Sequence, residues 1–96
     1  MGWVDSVSGD QAVAGLAAGG TLVFHAWDVF PSRSGGMERV ECVIRGLGSG
    51  YQAACEVLPA EFGQRAETWT EAWTEAELRA KLDAVRASEA PGWRWG

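Results

Sequence analysis

Apolar and polar positions alternate most regularly between residues 37 and 58, MERVECVIRGLGSGYQAACEVL. A period of two marks strands with one buried face, and the glycine-rich Leu47-Gly48-Ser49-Gly50 marks a turn between them. If Gly46 faces Tyr51, the numbers of every facing pair sum to 97, which sets Val40 against Val57, Cys42 against Cys55 and Ile44 against Ala53. That register gathers the apolar residues of both strands on one face.

Residues 21–30, TLVFHAWDVF, are rich in β-branched and aromatic side chains and are stopped by Pro31 and the loop 32–36. They predict a strand that is apolar in both parities: Leu22, Phe24, Ala26, Asp28 and Phe30 on one side, Val23, His25, Trp27 and Val29 on the other. Such a strand is central in a sheet covered twice, or it takes part in a contact between copies. Pairing with the next strand is expected where residue numbers sum to 67, with Val23 facing Ile44, His25 facing Cys42, Trp27 facing Val40 and Asp28 facing Arg39.

Helical periodicity appears twice. Residues 5–18 predict a helix in which Ser8 and Gln11 form a capping box, Val13, Leu16 and Ala17 share one face, and Gly19-Gly20 ends the run. Residues 65–73 pose a conflict, because Thr68 with Glu71 resembles a cap whereas Thr and Trp favour strands. A continuous helix over 68–88 would set Trp69 and Trp73 opposite Leu78, Leu82 and Val85 at about 100° per residue. A break at Thr74, which forms its own capping box with Glu77, resolves this into a fourth strand over 65–73 and a helix over 75–88. Ala90-Pro91-Gly92 closes that helix, and Trp93-Arg94-Trp95 returns as a short strand or lies against the sheet. The pattern therefore predicts one α+β domain over 1–96: a four-stranded antiparallel meander with an N-terminal and a C-terminal helix packed on one face, in the order α-β-β-β-β-α.

Composition narrows the function. At 96 residues, 47% hydrophobic and 22% charged, the chain suits one packed domain and not a disordered segment. No apolar run nears the ~18 residues of a membrane span and no basic segment precedes one, so no membrane contact and a cytoplasmic location are expected. The net charge of −5, with the basic residues scattered singly, argues against direct nucleic-acid binding, which needs a basic stripe to neutralise phosphates. Acidity serves solubility, or it imitates a phosphate backbone toward a basic partner. Six Trp, three of them Trp3, Trp93 and Trp95 near the ends, suggest packed-down termini and interface chemistry.

The one suggestive cluster is His25, Cys42 and Cys55, expected on one patch by the pairing above. Zinc wants four ligands, or three and a water, and no CxxC or HxxxH spacing is present, so a packed core with a satisfied His and two buried thiols is the better reading. Cys42 opposite Cys55 also allows a cross-strand disulfide, but the expected compartment favours reduced thiols. A triad of His25, Cys42 and Asp28 fails because His25 and Asp28 differ in parity. The carboxylates of Glu71, Glu75 and Glu77 read as a solvated helix entrance, and the glycine-rich turns lack the lysine of a phosphate loop. No catalytic residue, cofactor or metal is therefore expected. The stretch 70–82, a strand ending in Trp73 followed by an acid-capped helix, resembles one found in dimeric ferredoxin-like monooxygenases, although the opening strand-helix-strand order of that family is missing and the chain is not assigned to it.

The expectation is a small acidic, non-enzymatic protein-binding module, an inhibitor or accessory factor that occupies a basic, nucleic-acid-binding surface of a partner protein. Its interface is expected at Trp27, Trp69 and Trp73, with Glu67 and Glu71 supplying charge. A homodimer that binds a small molecule or catalyses a reaction, and a structural subunit of a larger assembly, are the alternatives.

Overall fold

Ser8 and Thr74 each accept a backbone N–H through the side-chain oxygen, from Gln11 at 3.1 Å and Glu77 at 3.2 Å, and both partners reach back to the cap backbone. These two capping boxes start the two helices of the computed structural model, which describes residues 4–27, 39–57, 67–88 and 91–96. The order is α1 (Gly9–Ala17), β1 (Thr21–Trp27), β2 (Arg39–Leu47), β3 (Gly50–Val57), β4 (Thr68–Trp73), α2 (Glu75–Ala87) and β5 (Gly92–Trp95). The helix expected from residue 5 begins only after Ser8. Its inward side is Ala12 and Leu16 with Val13 half-buried, while Ala17 is exposed. Residues 28–30 of the expected first strand, 37–38 and 58 of the hairpin stretch, 65–66 of the expected fourth strand, the expected loop 32–36 and Trp3 lie outside the described residues.

The fold is α+β, with five strands instead of four. They form one antiparallel sheet in the order β4-β3-β2-β1-β5, so the meander is joined by a strand that α2 carries across to the far edge beside β1. In Gly92–Trp95 the inward Trp93 is fully buried and meets Phe24 at a ring separation of 5.7 Å, while Arg94 faces out. Burying that ring contributes on the order of 2–3 kcal/mol and helps so short a strand to dock, although its Nε1–H finds no partner among the described residues and offsets part of the gain. Val4 bridges Trp93 by a backbone bond of 2.9 Å and closes part of that edge.

The β2–β3 register is the expected one throughout, with Gly46 facing Tyr51 and Cys42 facing Cys55. The β1–β2 register is not. Facing residues sum to 66, as in Phe24 with Cys42 and His25 with Glu41, so the expected pairing of His25 with Cys42 is off by one, and Trp27, not Asp28, faces Arg39. A one-residue slip turns every side chain to the other face. The fold selects the parity Leu22, Phe24 and Ala26, all at 0% exposure, because these bring no polar atom into the core, whereas the other parity contains an imidazole and an indole needing partners.

Both helices cover that same face, α1 against β1 and β2 and α2 against β3 and β4, and they touch each other. Leu16, Leu78, Leu82 and Val85 fill the layer between helices and sheet. The α1 contact depends on Gly15, since a Cβ there would enter the Trp95 ring.

Candidate interaction surface

The sheet has a second face that the described residues leave uncovered. Pairing defines its rows. One runs Thr70, Ala54, Val43, Val23 and Arg94 across all five strands, and the next runs Thr68, Glu56, Glu41 and His25. Trp27 and Arg39 stand at one end and Arg45 with Gln52 at the other. Large apolar groups are exposed here: Trp27 at 45% and Val43 at 37%. A shallow groove of about 380 Å³ runs over β2 to β4, floored by Val43 and Ala54 and edged by Glu41, Glu56, Thr68 and Thr70.

Charges of both signs share this face. Arg94 lies 3.8 Å from Glu41, and Arg45 donates to Gln52 at 2.8 Å. Arg39 donates Nε–H to His25 Nδ1 at 3.2 Å, with Nη2 only 2.8 Å from the same nitrogen. Nη2 is also 3.0 Å from Nε2, so the guanidinium lies against both ring nitrogens, and because it offers only donors the contact favours the neutral ring. Burial, and then the charge of Arg39, lower the His25 pKa below its ordinary value, while Glu41 pulls the other way. Gly92 lets the ring lie against β5, since a Cβ there would overlap it. Glu41 faces Glu56 directly across β2 and β3, an arrangement that costs stability.

The expected interface residues do not come together. Trp27 is on the uncovered face, whereas Trp69, Glu71 and Trp73 point to the helix side, opposite Cys55, Ala53 and Tyr51. Trp73 is a core residue at 4% exposure. Glu71 is a bridge between the indoles, accepting from Trp69 Nε1 at 2.8 Å and Trp73 Nε1 at 3.1 Å. Burial alone would raise its pKa; the two indole bonds, helped by Lys81, outweigh this and hold it below the usual carboxylate range. Glu67 leads into β4, and its carbonyl accepts the Val57 N–H at 2.8 Å. The residues that reasoning from sequence passed over are Glu41, Val43, Ala54 and Glu56. Their signal on β2 was the odd-numbered parity, where Val43 lies between the charged Glu41 and Arg45.

His25 and the two cysteines end up on opposite faces, so the expected cluster does not form. Among the described residues no group of three His, Cys, Asp or Glu side chains could hold a metal ion. A larger cleft of about 560 Å³ lies at the other end, between the β2–β3 turn and the helix ends, lined by Gly46, Gly48 and Gly50 with Leu47, Tyr51 and Glu75. Glu75 is engaged by Arg79 at 3.1 Å. No described helix is long and apolar enough to cross a membrane. Comparison with protein-family models, with curated proteins and with solved structures gives no match.

Proposed function

We propose that the chain is a small non-enzymatic interaction module that pairs with a second copy through its uncovered sheet face and turns its acidic helix side outward to a basic partner protein. The observation that carries this reading is the make-up of the uncovered face: exposed Trp27 and Val43 at its centre and end, with Glu41 and Glu56 interleaved with Arg39, Arg45 and Arg94. Trp and Arg around an apolar centre is the usual anatomy of a protein interface. The helices carry Asp10, Glu75, Glu77 and Asp83 against Arg79, Lys81 and Arg86, and Glu67 and Glu71 on the helix-side parity add two carboxylates, so the side away from the contact is net acidic.

Self-complementarity favours a second copy over an unlike partner on this face. In a face-to-face pair the two-fold axis lies between the sheets. Running across the strands over Val43, it sets Val43 and Ala54 against their own copies and Glu41 of each chain against Arg45 of the other, while Val23 in the same row, at 3% exposure, adds no contact. Arg94 meets its copy at the rim, where the neighbouring Glu41 offsets part of the repulsion. Strand spacing and rise give a patch of about 500 Å² per chain, so the pair would bury about 1,000 Å², the size of a weak and reversible interface.

Sedimentation velocity from low to high micromolar concentration tests the pairing. The wild type should dimerise with a midpoint in the micromolar range. Glu41→Arg and Arg45→Glu should each weaken association about tenfold or more, and the double exchange should restore it. A monomer at every concentration overturns the reading, as does a double exchange no better than the singles. The acidic side is tested with a lysine-rich peptide, whose binding should fall steeply with salt and survive the Arg45→Glu substitution.

The inhibitor reading, occupation of a partner's basic nucleic-acid-binding surface, is favoured by the same placement of carboxylates on the helix side. Competition with a nucleic acid for that partner distinguishes it from a plain accessory role.

A further inference from the structure

The covered face holds one feature that the interaction reading does not use. Cys42 and Cys55, the only two cysteines of the chain, face each other across β2 and β3 with their sulfurs 3.0 Å apart, at 0% and 2% exposure. A disulfide sulfur pair is ~2.05 Å apart, so about one ångström separates this contact from a bond. Directly facing residues of an antiparallel pair have Cα atoms about 4.5–5.5 Å apart, inside the range that a disulfide spans. The two thiols occupy one small site, where Glu71 and Lys81 act on Cys42 in opposite directions.

We propose that Cys42 and Cys55 are an oxidisable dithiol that closes to a cross-strand disulfide within one chain by exchange with a small-molecule disulfide. The thiolate of one cysteine attacks the reagent, forming a mixed disulfide and expelling one thiolate. The second cysteine then attacks the protein sulfur of that intermediate, forming the Cys42–Cys55 bond and expelling the second thiolate. The protein loses two electrons, the reagent gains them, and the two thiol protons pass to the two released thiolates. The bond lies under the uncovered face, since Cys42 sits between Glu41 and Val43 and Cys55 between Ala54 and Glu56. It would tie together the strands that floor the groove.

The folded chain guards this chemistry. The hydrogen bond to Cys55, reinforced by burial, pushes the Cys42 thiol far above the ordinary thiol range, so almost no thiolate exists while the hairpin is closed. Exchange therefore proceeds through local opening and quickens with mild urea and with rising pH. The contrast with a surface thiol pair is kinetic: this one is slow to close and, once closed, slow to reopen.

The full chain is incubated with oxidised glutathione at pH 8, with and without low urea, and followed by intact mass and thiol count. The expected product is a monomer ~2 Da lighter with both thiols lost, reversed by dithiothreitol, forming severalfold faster in urea. Because the two residues are 13 positions apart, the closed form should melt roughly 5–15 °C higher. Cys42→Ala and Cys55→Ala should each yield only a mixed disulfide. Glutathione adducts or linked dimers in place of the closed monomer overturn the proposal, and so does a closed form that melts below the reduced one. Sedimentation is not among these readouts, so failure of the dithiol leaves the pairing of sheet faces untouched.

Discussion

The two faces of this sheet are built from the same strands yet handle polarity in opposite ways. On the helix-covered face most polar groups pair locally, since Glu71 takes both indole N–H groups beside it and the Cys42 thiol bonds to Cys55, while the buried Trp93 Nε1–H finds no partner among the described residues. On the uncovered face charges are mixed, like carboxylates face each other, and Trp27 and Val43 remain in water. Glu41 opposite Glu56 costs stability on the uncovered face, whereas on the covered face apolar burial outweighs the one unpartnered indole N–H.

Substitutions on the two faces should expose the contrast most sharply. Phe24 is fully buried against Trp93, and Phe24→Ala removes a large side chain from a closed layer. A loss of about 3–5 kcal/mol is expected, a large part of the stability of a domain this small. Val43→Ala, one strand away on the other face, should change stability by less than about 0.5 kcal/mol. Urea unfolding of the pair measures this. Comparable losses would mean that the second face is also covered in solution.

Glu71 lies between these extremes. Glu71→Ala leaves two indole N–H groups without their acceptor, one on the buried Trp73 and one on the half-buried Trp69. Destabilisation of about 1–3 kcal/mol is expected, and Glu71→Gln, which keeps one acceptor oxygen, should recover part of it. A neutral Glu71→Ala would show the two indoles turning to water instead, and would place Trp69 and Trp73 nearer to an exposed interface.

What the residues disclosed in advance follows the same division. The β2–β3 register was legible because a glycine turn pins it and because only one parity is apolar. Both capping boxes and the break at Thr74 were legible because their chemistry is local. The β1–β2 register was not. No short turn links these strands, and β1 is apolar in both parities, so the choice fell to packing against Trp93 and the helices, which no local pattern encodes. The fifth strand was half legible, since GWRW alternates but is too short to declare itself. Of the candidate surface, Trp27 was named in advance and the other residues were not, for a related reason. Trp drew attention to β4, where two of the three expected aromatic contacts turned inward, while Glu41, Val43 and Glu56 carry no motif and acquire meaning only once the uncovered face is known.

The smallest expected effect belongs to His25, which reports on the uncovered face alone. It is the single histidine of the chain, so its ring protons are unambiguous in a proton NMR titration. Burial, then the charge of Arg39, disfavour the charged form, with Glu41 in partial opposition. The folded pKa thus lies below the unfolded value of about 6.5, and the unfolded chain binds the proton more readily in the interval between. The stabilising contribution is therefore complete above about pH 6.5 and is lost as pH falls through the folded pKa. His25→Gln should flatten that part of the stability profile. Arg39→Gln should raise the His25 midpoint toward the ordinary value and leave the core unchanged, because the ring and the guanidinium meet only on this face. A wild-type midpoint at or above 6.5 would show that Arg39 points elsewhere in solution, freeing a cation beside Trp27 and making the uncovered face more basic than the contacts here imply.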